Sequence, residues 1–232
     1  MLFSWFYLHF FLTFFLILSF LSVSIALFSK TSRVVSSEAA GSSTLINNLA
    51  KALFFSKADK KILIGKDITK GLGTGMNADL GRKAAEESKK EILAALLGEP
   101  RPSGGKKADM VFVTCGLGGG TGSGASPIIA EISRGLGILT IGVVTTPFSF
   151  EGQERKKVAE LALKNLKGPG VPSGSCPVDS LLIISNDKLL KVNNEKTTVS
   201  SAFSICDDVL REAVQSITDL ILVPGIINID FA

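Results

Sequence analysis

The segment Gly116-Leu-Gly-Gly-Gly-Thr-Gly-Ser-Gly124 constrains this chain more than any other. The apolar run Met110–Cys115 precedes it and reads as a buried strand. Ser126–Arg134 follows and reads as a helix, with Pro127 in the first turn, where a missing N–H is harmless. A strand that turns through glycines into a helix makes a place for an anion. Glycine accepts positive φ and lets backbone N–H groups approach a ligand closely. The helix N-terminus adds partial positive charge at the same point. Thr121 and Ser123 contribute hydroxyl groups. The expected result is a phosphate cradle at the carboxyl end of a strand. No Gly-Lys-Ser/Thr occurs in it, so it is not a Walker A loop, and the strict dinucleotide spacing of glycines also fails. A flexible linker is the plain alternative, and the tight framing by strand and helix argues against it.

The flanking pattern predicts an α/β domain. Ile138–Val144 and Leu181–Ser185 read as further strands, and Glu151–Leu166 as a charged helix. Ala202–Ile221 reads as a long helix with apolar residues at helical spacing, stopped by Pro224-Gly225. Short, fully apolar strands alternating with helices predict a doubly wound, mostly parallel sheet covered on both faces. Pro100–Lys107 and Gly168–Pro177 are Pro/Gly/Ser-rich loops. The net charge of +4 comes without a Lys/Arg stripe, so no nucleic-acid partner is expected. The three cysteines are far apart and the one histidine is His9, which leaves the globular part without a His base or a zinc pattern; no metal ligands are predicted.

The N-terminus is different in kind. Leu2–Phe28 has no Asp, Glu, Lys or Arg, and is long enough for a membrane-crossing helix of about 20 residues. A cleaved signal peptide and a wrong gene start are the competing readings. The expected organisation is an apolar helical leader over 1–28, a Ser/Thr-rich linker over 29–46, and a partial globular domain over 47–232.

Several stretches, in order along the chain, resemble the FtsZ branch of the tubulin/FtsZ GTPase family. They are GLGGGTGSGASP, ITKGLGTGMNADLGRKAAEESK (Ile68–Lys89), GILTIGVVTTPFSFEGQER (Gly137–Arg155), SNDKLLKV (Ser185–Val192) and the segment from Ala202 to Ala232. The TTPFSFEG wording is most similar to FtsZ proteins of plastid division. The resemblance implies a Rossmann-like, tubulin-type domain that binds GTP, with Mg2+ accompanying the nucleotide, and hydrolyses it to GDP and phosphate. It implies that Gly118, Gly119, Gly120, Thr121, Gly122, Ser123 and Gly124 hold the phosphates, and that Gly73, Thr74 and Gly75 approach the terminal one. Glu151 would accept hydrogen bonds from the ribose, Arg155 would reach the ribose or phosphates, Phe203 would pack on the guanine, and Asp207 or Asp208 would accept from its N1–H and N2–H2. Asn47 would sit where a family asparagine contacts the nucleotide. Asp230, with Asn228, would belong to the loop that one subunit inserts into the next, a head-to-tail contact that generates filaments. Other FtsZ subunits and division-ring proteins are the implied partners, with membrane contact through residues 2–28 and a location in the plastid stroma, or else in the cytoplasm or anchored facing the cytosol.

The chain departs from the family pattern at three points. No GGGGN-type phosphate loop follows a first strand, Asn47-Asn48-Leu49 stands in place of Asn-Thr-Asp, and the second catalytic acid and the following domain are not in the sequence. The expectation is an exposed sheet edge where the first strand is lost, poor solubility, and GTP binding weaker than micromolar. A non-catalytic, membrane-tethered protein that co-assembles with or caps full-length FtsZ is the alternative function.

Overall fold

The structure, a computed structural model, describes residues 23–28, 42–47, 60–97, 108–168, 176–192 and 198–222. Six strands form one sheet: β1 (Val23–Phe28), β2 (Ser42–Asn47), β3 (Lys60–Leu63), β4 (Met110–Gly116), β5 (Leu139–Thr146) and β6 (Ser180–Ser185). Their order is β3-β2-β1-β4-β5-β6. β2 pairs parallel with β3, and β4, β5 and β6 pair parallel in turn. β1 runs antiparallel to both of its neighbours, β2 and β4.

The helices are α1 (Lys66–Thr69), α2 (Ala78–Glu87), α3 (Lys89–Leu97), α4 (Gly120–Gly135), α5 (Gln153–Lys167), α6 (Asn186–Val192) and α7 (Val199–Leu222). They cover both sheet faces, and β4 shows how. Alternate side chains of a strand point to opposite faces. Val111, Val113 and Cys115 pack with buried residues of α2 to α5, among them Ala84, Ile92, Ile129 and Leu166. Met110 and Phe112 point the other way and meet Leu210 and Val214 of α7. Phe112 is fully buried at this second interface. Phe112→Ala should cost about 3–5 kcal/mol of stability, read from the denaturant midpoint.

Five expectations need correction. Val23–Phe28 is a strand, not part of an apolar helix; a run of apolar residues carries no periodicity to separate the two, and a slot between two strands offers backbone partners on both sides. The sheet edge expected beside β2 and β4 is therefore filled, and the edges are β3 and β6. The stretch read as linker ends in β2. The glycine segment is mostly helix, since α4 begins at Gly120, and this places Pro127 well inside the helix instead of in its first turn. Glu151 is likewise not on a helix of α5 but closes a 3-10 turn, Ser149–Glu151, separated from α5 by Gly152 at φ 101°. Among the described residues no helix is long and apolar enough to cross a membrane. The predicted stop at Pro224-Gly225 and the loop Pro100–Lys107 lie outside the described residues.

Candidate functional site

The carboxyl ends of β2, β4, β5 and β6 share one edge of the sheet, and the polar groups collect there. β4 leaves through Gly116; the Leu117 N–H then donates to the Thr145 carbonyl at 2.9 Å. Gly118 turns the chain at φ 95°, and its N–H donates to Ser123 Oγ at 2.9 Å. Gly119 is extended and precedes the first helical residue, Gly120. A helix leaves its first N–H groups without acceptors of its own, and this one presents them at the strand end.

The glycines divide by what a side chain would meet. A Cβ on Gly120 would lie 2.2 Å from Thr74 Oγ1, one on Gly122 2.4 Å from the Gly116 carbonyl oxygen, and one on Gly124 2.0 Å from the Ala78 carbonyl oxygen. On α2, a Cβ on Gly81 would lie 2.2 Å from the Gly120 carbonyl oxygen. Gly81, Gly120 and Gly124 thus let α2 and α4 touch backbone to backbone. A Cβ on Gly119 would meet nothing within 4 Å, and the same holds at Gly75. These two glycines border open space, where a ligand can approach the backbone.

The turn before α2 faces Gly120. Gly73, Gly75 and Met76 all have positive φ, at 89°, 53° and 66°. Asn77 caps α2, its Oδ1 accepting from the N–H groups of Asp79 and Leu80. Thr74, between the two glycines, is buried, and its Oγ1 has no hydrogen-bond partner. Leaving such a hydroxyl unpaired costs about 1–3 kcal/mol. An oxygen of a bound phosphate would relieve that cost. Asn47, the last residue of β2, is fully buried on the same edge, and its carbonyl accepts from the Ile64 N–H at 2.9 Å.

The far end of the edge is aromatic and acidic. Phe148 is buried between Phe150, stacked on it at 4.8 Å, and Phe203 of α7, edge-on at 5.0 Å. Glu151 accepts from the Phe148 N–H through Oε1 and pairs with Arg155 through Oε2. The Arg155 carbonyl oxygen lies 3.0 Å from where a Cβ on Gly118 would stand, so this ion pair borders the glycine turn. Asp207 faces inward from α7. Burial, and then the neighbouring charge of Asp208, push its carboxyl up to about 7. Cys206 beside it is pushed up to about 12 by burial first and then by the charges of Asp207 and Glu151, which locates both carboxylates around one thiol. Asp208 turns outward to Arg211 at 3.6 Å and is exposed, so of the two candidate acids only Asp207 faces the site.

Asn186 was not anticipated from sequence. It follows β6 directly, is buried, and its Oδ1 has no partner. The next residue, Asp187, accepts from the Ser149 N–H and hydroxyl at 2.8 and 2.6 Å, which ties the β6 end to the 3-10 turn that holds Glu151. Burial raises the Asp187 carboxyl, but the two Ser149 hydrogen bonds and the charges of Lys156 and Lys191 outweigh it and bring it below its ordinary value. An amide placed at a strand terminus was the available signal. Asn228 and Asp230 lie outside the described residues.

The edge therefore offers an anion cradle at one end and a cluster of aromatic rings, a carboxyl and an amide at the other. Comparison with known proteins gives this arrangement a context. The Tubulin/FtsZ family, GTPase domain, matches residues 22–194. An empty FtsZ dimer from M. jannaschii is 45% identical, with a TM-score of 0.69, over 80% of this chain and 49% of that one. CetZ1 from Haloferax volcanii, a GDP-bound monomer, is 26% identical at a TM-score of 0.59 over 72% of this chain and 47% of that one. CetZ2 from the same organism, a GTPγS-bound protofilament, shares the fold at 24% identity and a TM-score of 0.61, over 74% of this chain and 47% of that one. The chain spans about half the length of these structures.

Proposed function

The chain belongs to the Tubulin/FtsZ family, and from that premise we propose that it binds GTP along the carboxyl edge of the sheet and acts within FtsZ-type filaments. The observation that carries this reading is a pair of buried, partnerless polar atoms on one edge, Thr74 Oγ1 at the glycine turn and Asn186 Oδ1 at the end of β6. The triphosphate lies on Gly118–Gly120 and the first turn of α4, against Thr74. The ribose meets Glu151 and Arg155. The guanine stacks by Phe203, with Asp207 and Asn186 reading its polar edge. Guanine offers N1–H and N2–H2 donors to a carboxylate, and adenine does not. A Mg2+ ion accompanying GTP would neutralise charge on the phosphates.

Hydrolysis in this reading is completed between subunits, with Asp230 of one subunit orienting water at the terminal phosphate of the next. Phosphoryl transfer of this kind rests on positioning and charge stabilisation. The sequence wording of Thr145–Gly152 supports a role in plastid division. The sequence holds no GGGGN-type phosphate loop, and this argues for modest affinity.

Phosphate release and sedimentation, measured with the full chain alone and mixed with a full-length FtsZ, test the proposal. GTP-dependent sedimentation of the chain with the full-length protein is expected. Sedimentation with no phosphate release from the chain would favour the non-catalytic, co-assembling role. Indifference of the chain to GTP in both assays would reject the proposal.

A further inference from the structure

Ser24-Ile25-Ala26 sets two small residues at alternate positions near the end of the uncharged run Leu2–Phe28, the small-residue spacing after which signal-peptidase-type enzymes cut. β1 holds the same three residues inside the sheet. Ser24 lies opposite Leu45 and Thr114, Ile25 opposite Thr44 and Val113, and Ala26 opposite Ser43 and Phe112. We propose that the Ala26–Leu27 bond is a processing site of the unfolded chain that folding hides, so that cleavage and folding are alternative fates of one segment.

The physical conflict is over backbone hydrogen bonds. A peptidase of this kind must take the scissile segment as an extended strand and pair with its N–H and C=O groups, and in the folded protein those groups are committed to β2 on one side and β4 on the other. Cleavage adds one water across the amide, leaving a carboxylate on Ala26 and an amino group on Leu27. It removes Val23–Ala26, most of β1, from the middle of the sheet. Two new strand edges then open, on β2 and on β4. The β2–β3 pair loses its connection to β4, and Asn47 its place beside the glycine turn. A chain cut at Ala26 therefore has no intact ligand edge, and a folded chain keeps the residues that precede β1.

Detergent-solubilised signal peptidase acting on the full chain tests this, with intact mass as the readout. Chain held in urea that the enzyme tolerates should lose residues 1–26. The folded chain should be cut at least tenfold more slowly. Phe112→Ala, which lies opposite Ala26 in β4 and outside the recognised sequence, should raise the rate under native conditions at least tenfold. Equal cutting of folded and unfolded chain, cutting of neither, or cutting at another bond would each overturn the proposal.

Discussion

Gly124→Ala should destabilise the domain by about 3 kcal/mol, while Gly119→Ala should leave its stability within about 1 kcal/mol and weaken nucleotide binding instead. The two residues are five apart in a segment that sequence treats as uniform. At Gly124 a methyl group would sit 2.0 Å from the Ala78 carbonyl oxygen and 2.7 Å from the Arg82 nitrogen, both backbone atoms of α2 that cannot turn aside. The helices would have to separate, and with them the buried contacts of Ala84, Ala125 and Ile129. At Gly119 φ is −90°, which alanine adopts freely, and the methyl would enter open space. That space is where the phosphates lie in the proposed complex. Thermal melts of the two variants, paired with GTP titrations, separate packing from binding. A Gly119→Ala variant that binds GTP as the parent does would remove this turn from the phosphate site.

Asp207→Asn should weaken GTP binding about 100-fold, the loss of two hydrogen bonds to a charged acceptor. It should also abolish a pH dependence. Asp207 titrates near 7, because burial and the adjacent Asp208 charge disfavour its ionised form. Recognition of guanine donors needs that ionised form, so binding releases a proton below about pH 7 and affinity should fall by up to about tenfold per unit as the pH drops further. Stability of the nucleotide-free fold moves the other way. A carboxyl raised by folding contributes stability that is complete below the ordinary carboxylate value of about 4 and is lost as pH rises through about 7. Titrations at pH 6 and pH 8 should show the parent several-fold weaker at the lower pH and Asp207→Asn flat. Equal pH dependence in both proteins would exclude Asp207 as the responsible group.

Much of this site was legible in the sequence because its chemistry sits at strand ends. Met110–Cys115 is a strand because every residue is apolar or β-branched and buried, and α7 follows from apolar residues spaced to cover Phe112 and Ile141. The glycine turn, Thr74, the Glu151–Arg155 pair and Phe203 do fall along one edge, with Asp207 among them. What was misread has physical causes. Glycine is a poor helix former, so Gly120–Gly124 reads as loop, yet close contact with α2 requires Gly120 and Gly124 inside a helix, and close contact with β4 requires Gly122. Val23–Phe28 is apolar without period, so nothing local shows that two neighbouring strands would recruit it. Asp207 and Asp208 are adjacent in sequence, and only the pairing of Asp208 with Arg211 shows which acid faces outward. Asn186 escaped notice because its importance lies in burial without a partner, which no motif displays.

The most direct test of the nucleotide reading is calorimetric titration of the folded chain with GTP and ATP side by side at pH 8. Saturable GTP binding is expected with a Kd above about 1 µM, because the sequence holds no GGGGN-type phosphate loop, and ATP binding at least about tenfold weaker, because adenine offers Asp207 no N1–H. Equal affinity for the two nucleotides, or no binding of either, would contradict it.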